Sequence, residues 1–313
     1  MIQVKVPFVI VILFVFSFLL CSSTKNSEDT CEEKGENGEC ANSVLILKGG
    51  PEDGNIESSL FESLEVQAEE GDEEGHHHTV EVAAIPEGER VGLQYVRQFL
   101  SPEEVSKLIG FCDGRSGWTA SPQNQGKGDV SVGRARTSHS CPLVWPLLYL
   151  DRMDEIRKMG VLTPEIEDEI LFTTILMKRI AAFLNVDMSY IEPLQLLRYG
   201  AGQYYKQHHD HGSYYGVTTE QRPHTFLLFL SSVPADDGGG HTKFNNLDIA
   251  ILPRSGDGIV WSNVNAENNE VLLDAVHEAM PPLGETVIKY AMNVWIGERP
   301  AMENLRSSST YTT

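Results

Sequence analysis

The run Tyr205-Lys206-Gln207-His208-His209-Asp210-His211 sets four side chains that can ligate a metal within a few residues of one another. In an extended strand alternate residues share a face, so His208 and Asp210 point one way while His209 and His211 point the other. The first pair offers an ion an imidazole and a carboxylate; the second offers two imidazoles. A third ligand from a distant strand, His277, would complete a face of two histidines and one carboxylate with the first pair. Such a face leaves half of an octahedral ion open to other ligands. Strand alternation by itself leaves both registers standing.

Rigid elements must bring His277 to that run. From Glu192 onward, short β-rich stretches alternate with Gly and Pro turns: Leu194 to Tyr199, Thr225 to Ser231, Ile249 to Leu252, Gly258 to Trp261 and Thr286 to Trp295. This spacing predicts an antiparallel sandwich or barrel. Upstream, Ser101-Pro102-Glu103-Glu104 reads as a helix start, with a capping hydroxyl, proline in the first turn and carboxylates near the positive helix end. A long helix is expected over 164–184, with Ile166, Ile170, Ile175, Met177, Ile180 and Phe183 marking one face. Residues 123–133 are glycine-rich and polar, which predicts a mobile loop.

Charge is distributed unevenly. The 313 residues carry a formal net charge of −21, and residues 24–90 hold 19 Asp and Glu against 4 Lys and Arg. That acidity argues against a nucleic-acid partner and favours solubility. Rich in Glu, Gly, Ser and Asp, residues 24–90 cannot bury enough apolar surface to offset their ordering entropy, so an acidic, mostly disordered segment is expected. His76-His77-His78 falls within it and reads as an adventitious metal site.

At the N-terminus, Lys5 precedes an apolar run over 6–20 and the small residues Cys21-Ser22-Ser23. The run is shorter than the roughly 20 residues a spanning helix needs. Residues 1–23 therefore read as a signal peptide or a membrane anchor, with the rest of the chain in the lumen of the secretory pathway. In that oxidising compartment Cys31 would pair with Cys40 and Cys112 with Cys141; the alternative is a Cys112 simply buried on its helix. The folded domain is expected over 91–300, followed by a flexible tail over 301–313.

The ordered set around the histidine run goes further. Tyr199-Gly200-x-Gly202-Gln203-x-Tyr205, Arg222-x-x-Thr225, Gly239-Gly240-x-Thr242-x-Phe244 and Pro253-x-x-Gly256-Asp257, together with His208, Asp210 and His277, resemble the prolyl 4-hydroxylase family of 2-oxoglutarate- and Fe(II)-dependent dioxygenases. The resemblance runs from about Val91 to Arg299. It implies an α+β fold: a double-stranded β-helix, or jelly-roll, core with N-terminal supporting helices.

In that family a tyrosine sits three residues before the first iron ligand. Tyr205 therefore selects His208, Asp210 and His277 as ligands and relegates His209 and His211 to the other face. The resemblance further implies that Lys289, six residues before Trp295, neutralises the distal carboxylate of 2-oxoglutarate, assisted by Tyr199 and Thr242. Arg222, Tyr205 and Trp295 would line a peptide groove, and residues 123–133, just before Arg136-Thr137-Ser138, would form a lid over it.

The implied activity is hydroxylation of peptidyl proline at C4 with release of succinate and CO2. It would use Fe(2+), 2-oxoglutarate and O2, with L-ascorbate restoring oxidised iron. The implied location is the endoplasmic reticulum lumen, or its membrane facing the lumen. Whether a partner subunit joins the chain is left open. Two rival readings remain: an oxygenase of another residue or small molecule, and a catalytically silent jelly-roll binding module. The chain departs from the family at Gly239-Gly240-His241-Thr242, where glutamate is common in place of His241, and at Ala279-Met280-Pro281-Pro282 after the last ligand.

Overall fold

Backbone hydrogen bonds must all be satisfied, and in this chain most are satisfied between strands. The computed structural model describes residues 45–47, 56, 60–66, 78–121, 123–124, 130–131, 135–211, 222–234 and 239–303, all in one compact unit, Leu45–Thr313. The leader, the Cys31–Cys40 pairing, His76, His77 and residues 304–313 lie outside the described residues.

In chain order, β1 (Leu45–Leu47), β2 (Glu62–Val66), β3 (His78–Ala84) and β4 (Gln94–Arg97) precede helix α1 (Pro102–Gly114). Next come β5 (Thr119–Ala120), β6 (Gln123–Asn124), β7 (Val130–Ser131), β8 (His139–Pro142), the short α2 (Met153–Lys158) and the long α3 (Pro164–Leu184). The remaining strands are β9 (Gln195–Tyr199), β10 (Tyr205–His208), β11 (His224–Phe229), β12 (Thr242–Phe244), β13 (Ile249–Ile251), β14 (Gly258–Ser262), β15 (His277–Ala279) and β16 (Lys289–Ile296).

Nine strands form one antiparallel sheet in the order β2-β3-β4-β14-β11-β16-β9-β8-β5. Five form a smaller sheet, β1-β13-β12-β15-β10, antiparallel except for β1 on β13. Strand alternation shares the large sheet's side chains between two cores. Phe226 and Leu228 of β11, with Met292 and Val294 of β16, join α1 and α3 through Val105, Leu108, Met177 and Ile180. Leu227, Phe229 and Ala291 instead join Phe244, Ile249 and Ile251 of the small sheet. Lys289 and Trp295 share the odd-numbered face of β16 with Ala291, so strand period alone turns them toward the small sheet's side.

The caps follow the expected chemistry. Ser101 Oγ accepts from the Glu104 N–H at 3.2 Å, and Glu104 Oε2 accepts from the Ser101 N–H at 2.9 Å, closing a capping box on α1. Helix α3 spans the expected residues, but its buried stripe is Ile170, Thr173, Met177, Ile180 and Leu184. Ile166 and Ile175 are exposed, because Ile175 is five residues from Ile170 and so rotated off the stripe. Cys112 on α1 is bonded to Cys141 on β8. Closing a loop of that length contributes ~2–4 kcal/mol. Within 123–133, β6 pairs with β7; the other residues of that loop lie outside those described.

The domain edge falls earlier than Val91. Strand β3 pairs with β4 in register, Val82 opposite Val96, and β2 pairs with β3. Val80, Ala83 and Ile85 are buried; alternating Val80 and Val82 supply an apolar face that the acidic composition of the segment conceals. Ala301 is likewise buried in a short helical turn over 301–303, so the folded part extends past residue 300. Among the described residues no helix is long and apolar enough to cross a membrane.

Burying a valine or isoleucine side chain contributes about 1.5–3 kcal/mol. A chain beginning at Asn42, which keeps β1, β2 and β3, is therefore expected to melt with the full-length protein, whereas one beginning at Val91 melts several degrees lower, since it loses all three strands. Calorimetry of both truncations checks this; equal melting temperatures would return the boundary to Val91.

Candidate active site

Two neighbouring strands of the small sheet bring the distant histidines together. Strands β10 and β15 run antiparallel, with Tyr205 opposite Ala279 and His208 opposite His277. Asp210 follows two residues after His208, and one ligand atom from each of His208, Asp210 and His277 lies within 4.8 Å of the others. His208 Nε2 is 3.7 Å from Asp210 Oδ1, and His277 Nε2 is 3.8 Å from Asp210 Oδ2. These separations are too long for direct hydrogen bonds and leave a gap of ionic size between the groups.

The protons are placed for metal binding. His208 Nδ1 is 2.8 Å from the Lys206 carbonyl and His277 Nδ1 is 2.9 Å from the Ala275 carbonyl. A carbonyl can only accept, so each Nδ1 carries the proton and each Nε2 lone pair faces Asp210. Burial, reinforced by neighbouring His277, pushes His208 down to about 3, so its imidazole is neutral at pH 7. Burial alone would push the Asp210 carboxyl up; His277, His208 and the Arg222 guanidinium outweigh it and hold the carboxyl below its usual range. Two imidazoles and one carboxylate are the ligand set of non-heme Fe(II) sites.

Packing and buried hydrogen bonds fix these ligands. The Tyr205 ring stacks on His208 at 3.5 Å between centroids, and Trp261 meets His277 edge-on at 4.9 Å. Thr225 Oγ1 donates to Asp210 Oδ2 at 2.9 Å; Asn263 Nδ2 donates to Thr225 Oγ1, and Trp261 Nε1 to Asn263 Oδ1, each at 2.9 Å. Thr225 sits opposite Trp261 on β14 and opposite Trp295 on β16, so sheet register places this relay.

A second group of polar side chains gathers on the same face of the large sheet. Lys289, opposite Tyr199 in register, is 1 % exposed. Its Nζ donates to Thr242 Oγ1 at 3.2 Å and sits 5.6 Å from the centre of the Tyr199 ring. Among the described residues it has no carboxylate partner. Burial pushes its pKa from 10.5 down to about 7. The approach to Thr242 needs glycine: a Cβ on Gly239 would stand 2.3 Å from the Pro281 carbonyl oxygen, and the Gly240 N–H donates to that same oxygen at 2.9 Å.

Arg222, one of the residues expected to line a groove, has partners that the sequence did not announce. Arg222 gives both Nε and Nη2 to Glu192, at 2.7 and 2.8 Å, while its guanidinium lies 3.8 Å over the Trp295 ring. It is thus the part-buried half of a bidentate ion pair with buried Glu192, flattened on an aromatic. Sequence reasoning missed Glu192, Thr225 as a partner of Asp210, and Arg136 as a site residue. Arg136 is buried, donates from Nε to Ser138 Oγ at 2.9 Å, and lies 4.6 Å over the Tyr205 ring, with Nη2 buried and unpaired. The Arg136-Thr137-Ser138 motif was the available signal, but nothing in it says that the guanidinium turns inward. His209 and His211 stand outside the triad.

The sequence is similar to known proteins. Residues 194–297 match the 2OG-Fe(II) oxygenase superfamily. The chain is 34 % identical over 128 residues to prolyl 4-hydroxylase subunit alpha-1 of Caenorhabditis elegans, covering 39 % of this chain and 22 % of that protein. It is 32 % identical over 151 residues to prolyl 4-hydroxylase 13 of Arabidopsis thaliana, covering 42 % of this chain and 53 % of the other. The match thus spans about a fifth to a half of these relatives' length. Among solved structures, the viral collagen prolyl hydroxylase of Paramecium bursaria chlorella virus-1 in its 2OG complex aligns at TM-score 0.43 and 21 % identity, covering 66 % of this chain and 95 % of that one. Residues 194–297 are thus similar to the 2OG-Fe(II) oxygenase superfamily, and the two curated relatives named above are prolyl 4-hydroxylases.

Proposed function

We propose that this protein hydroxylates peptidyl proline at C4, consuming 2-oxoglutarate and O2 and releasing succinate and CO2. The observation that carries the reading is the pairing of a two-His, one-carboxylate face with Lys289, a buried lysine that has no carboxylate partner among the described residues. A ferrous ion held by His208, Asp210 and His277 would supply the redox chemistry that couples O2 to decarboxylation of the keto acid. The chain's own residues bind and orient. An ammonium buried without a counter-ion is costly, and the distal carboxylate of 2-oxoglutarate would relieve that cost at Lys289, with Thr242 and Tyr199 beside it.

Peptide would lie against Trp295, Arg222 and Tyr205. A polyproline II chain exposes carbonyls and flat apolar rings, which suit an aromatic shelf carrying a guanidinium. Because Glu192 already fixes Arg222 on Trp295, that shelf is formed before substrate arrives. The relatives named prolyl 4-hydroxylases support proline as the target. The two antiparallel sheets suit a double-stranded β-helix. The Cys112–Cys141 bond supports an oxidising compartment such as the endoplasmic reticulum lumen, with L-ascorbate as the reductant of iron oxidised in uncoupled turnovers.

Replacing any one ligand, as in His208→Ala, Asp210→Ala or His277→Ala, is expected to abolish Fe(II)-dependent succinate formation while the melting temperature of the metal-free protein stays within a few degrees of the parent. Normal turnover in any of the three would remove that residue from the site.

Lys289 gives the reading a pH signature. Its pKa in the free protein is about 7, and only the ammonium attracts a carboxylate. Below pH 7 the charge is already present and affinity for 2-oxoglutarate is flat. Above it, binding must take up a proton, so affinity falls by up to about tenfold per pH unit, one pKa unit being worth ~1.36 kcal/mol. Calorimetric titration with saturating metal from pH 7 to 9 checks this, and a flat profile would contradict it. Lys289→Ala is expected to weaken 2-oxoglutarate binding by about a hundredfold or more, since breaking a buried pair costs ~3–5 kcal/mol, and to leave metal binding intact.

A further inference from the structure

The residue between the two ligands of β10 and its following turn is itself a histidine, and both its ring nitrogens are engaged. The His211 N–H approaches His209 Nδ1 at 3.0 Å. A backbone N–H can only donate, so Nδ1 is the bare nitrogen and Nε2 carries the proton. Nε2 lies 2.9 Å from the Leu272 carbonyl oxygen, to which it donates. Leu272 opens the short turn Leu273–Ala275, and the carbonyl of Ala275 accepts from His277 Nδ1. One side chain, flanked by His208 and Asp210, therefore reaches across to the turn that orients the third ligand.

Backbone pairing between the two ligand strands is thin. Strands β10 and β15 share only the partners Tyr205↔Ala279 and His208↔His277, with an irregularity between them. We infer that His209 is a positioning residue, whose Nε2–H bond to the Leu272 carbonyl sets the separation between the His208/Asp210 turn and His277 and thereby tunes metal affinity. The inference rests on the reading of the triad as a metal site. It does not make His209 a pillar of the fold, because the Leu272 carbonyl also accepts from the Ala275 N–H at 2.9 Å. Losing His209 leaves that carbonyl paired, so stability changes little while the ligand geometry relaxes.

The two nitrogens can be separated experimentally. The amide nitrogen of glutamine lies as many bonds from Cα as His209 Nε2, so His209→Gln can keep the bond to Leu272. The amide oxygen of asparagine lies as many bonds from Cα as Nδ1, so His209→Asn keeps only the bond from His211. The full chain and the variants His209→Gln, His209→Asn and His209→Ala would be titrated with cobalt(II), following its d–d absorption, alongside the melting temperature of each metal-free protein. Removing a hydrogen-bond partner behind the ligands typically costs 10–100-fold in metal affinity, so His209→Asn and His209→Ala are expected to weaken cobalt binding by about that factor and to change its spectrum, at unchanged melting temperature. His209→Gln is expected to bind and absorb like the parent. Parent-like affinity in His209→Asn would overturn the proposal, as would His209→Gln weakened as far as His209→Ala. A parent protein that binds no cobalt would overturn the metal reading of the triad, and this proposal with it.

Discussion

The structure turns on the antiparallel contact between β10 and β15. That contact places His208 opposite His277 and lets residues nearly seventy positions apart in sequence share one gap with Asp210. Everything nearby serves the same geometry. Backbone carbonyls of Lys206 and Ala275 fix the tautomers, Tyr205 and Trp261 wedge the rings, and the Trp261–Asn263–Thr225 relay pins one oxygen of the carboxylate. Strands as short as β10 and β15 are weak alone. They persist because β12 pairs with β15 on its other edge and because Phe244 and Ile249 bury against the large sheet.

Low dielectric surroundings then decide what each charge can do. The interior cannot solvate an isolated ion, so buried charge must be neutralised or paired. The chain meets this requirement in two ways within one site. Arg222 and Glu192 are mutually satisfied, which makes them a rigid shelf rather than a free cation. Among the described residues Lys289 has a hydroxyl and no carboxylate as its hydrogen-bond partner, and the proposed role of its charge is to meet an incoming carboxylate. The same physics separates a mutually satisfied ion pair from a lysine with no carboxylate partner among the described residues, although both side chains lie beside an aromatic ring.

Much of this was legible in the sequence where periodicity or chemistry is local. The β-rich runs after Glu192, the capped start of α1 and the span of α3 follow from patterns a few residues long. The residues of the His208, Asp210 and His277 cluster, and Lys289, were singled out by an ordered set of motifs. Three things were not. The buried face of α3 depends on what lies opposite, so exposed Ile166 and Ile175 looked equivalent to buried Ile170. Strand β3 was hidden because the charge of residues 24–90 dominates its composition, although Val80 and Val82 alternate as a strand should. The partners Glu192 of Arg222 and Leu272 of His209 are long-range and one of them is a backbone carbonyl, which no side-chain pattern can announce.

The central claim is that metal triad and buried lysine together make a peptidyl-proline oxygenase. Its most direct test is succinate formation from 2-oxoglutarate by the iron-loaded full chain, measured against a panel of poly-proline, Ser-Pro repeat and collagen-like peptides, with the peptide products examined by mass spectrometry. The account predicts Fe(II)-dependent succinate release that at least one proline peptide stimulates, with one oxygen atom added at proline C4. Iron-loaded protein that neither binds 2-oxoglutarate nor forms succinate with any peptide would contradict it and leave a catalytically silent binding module in its place.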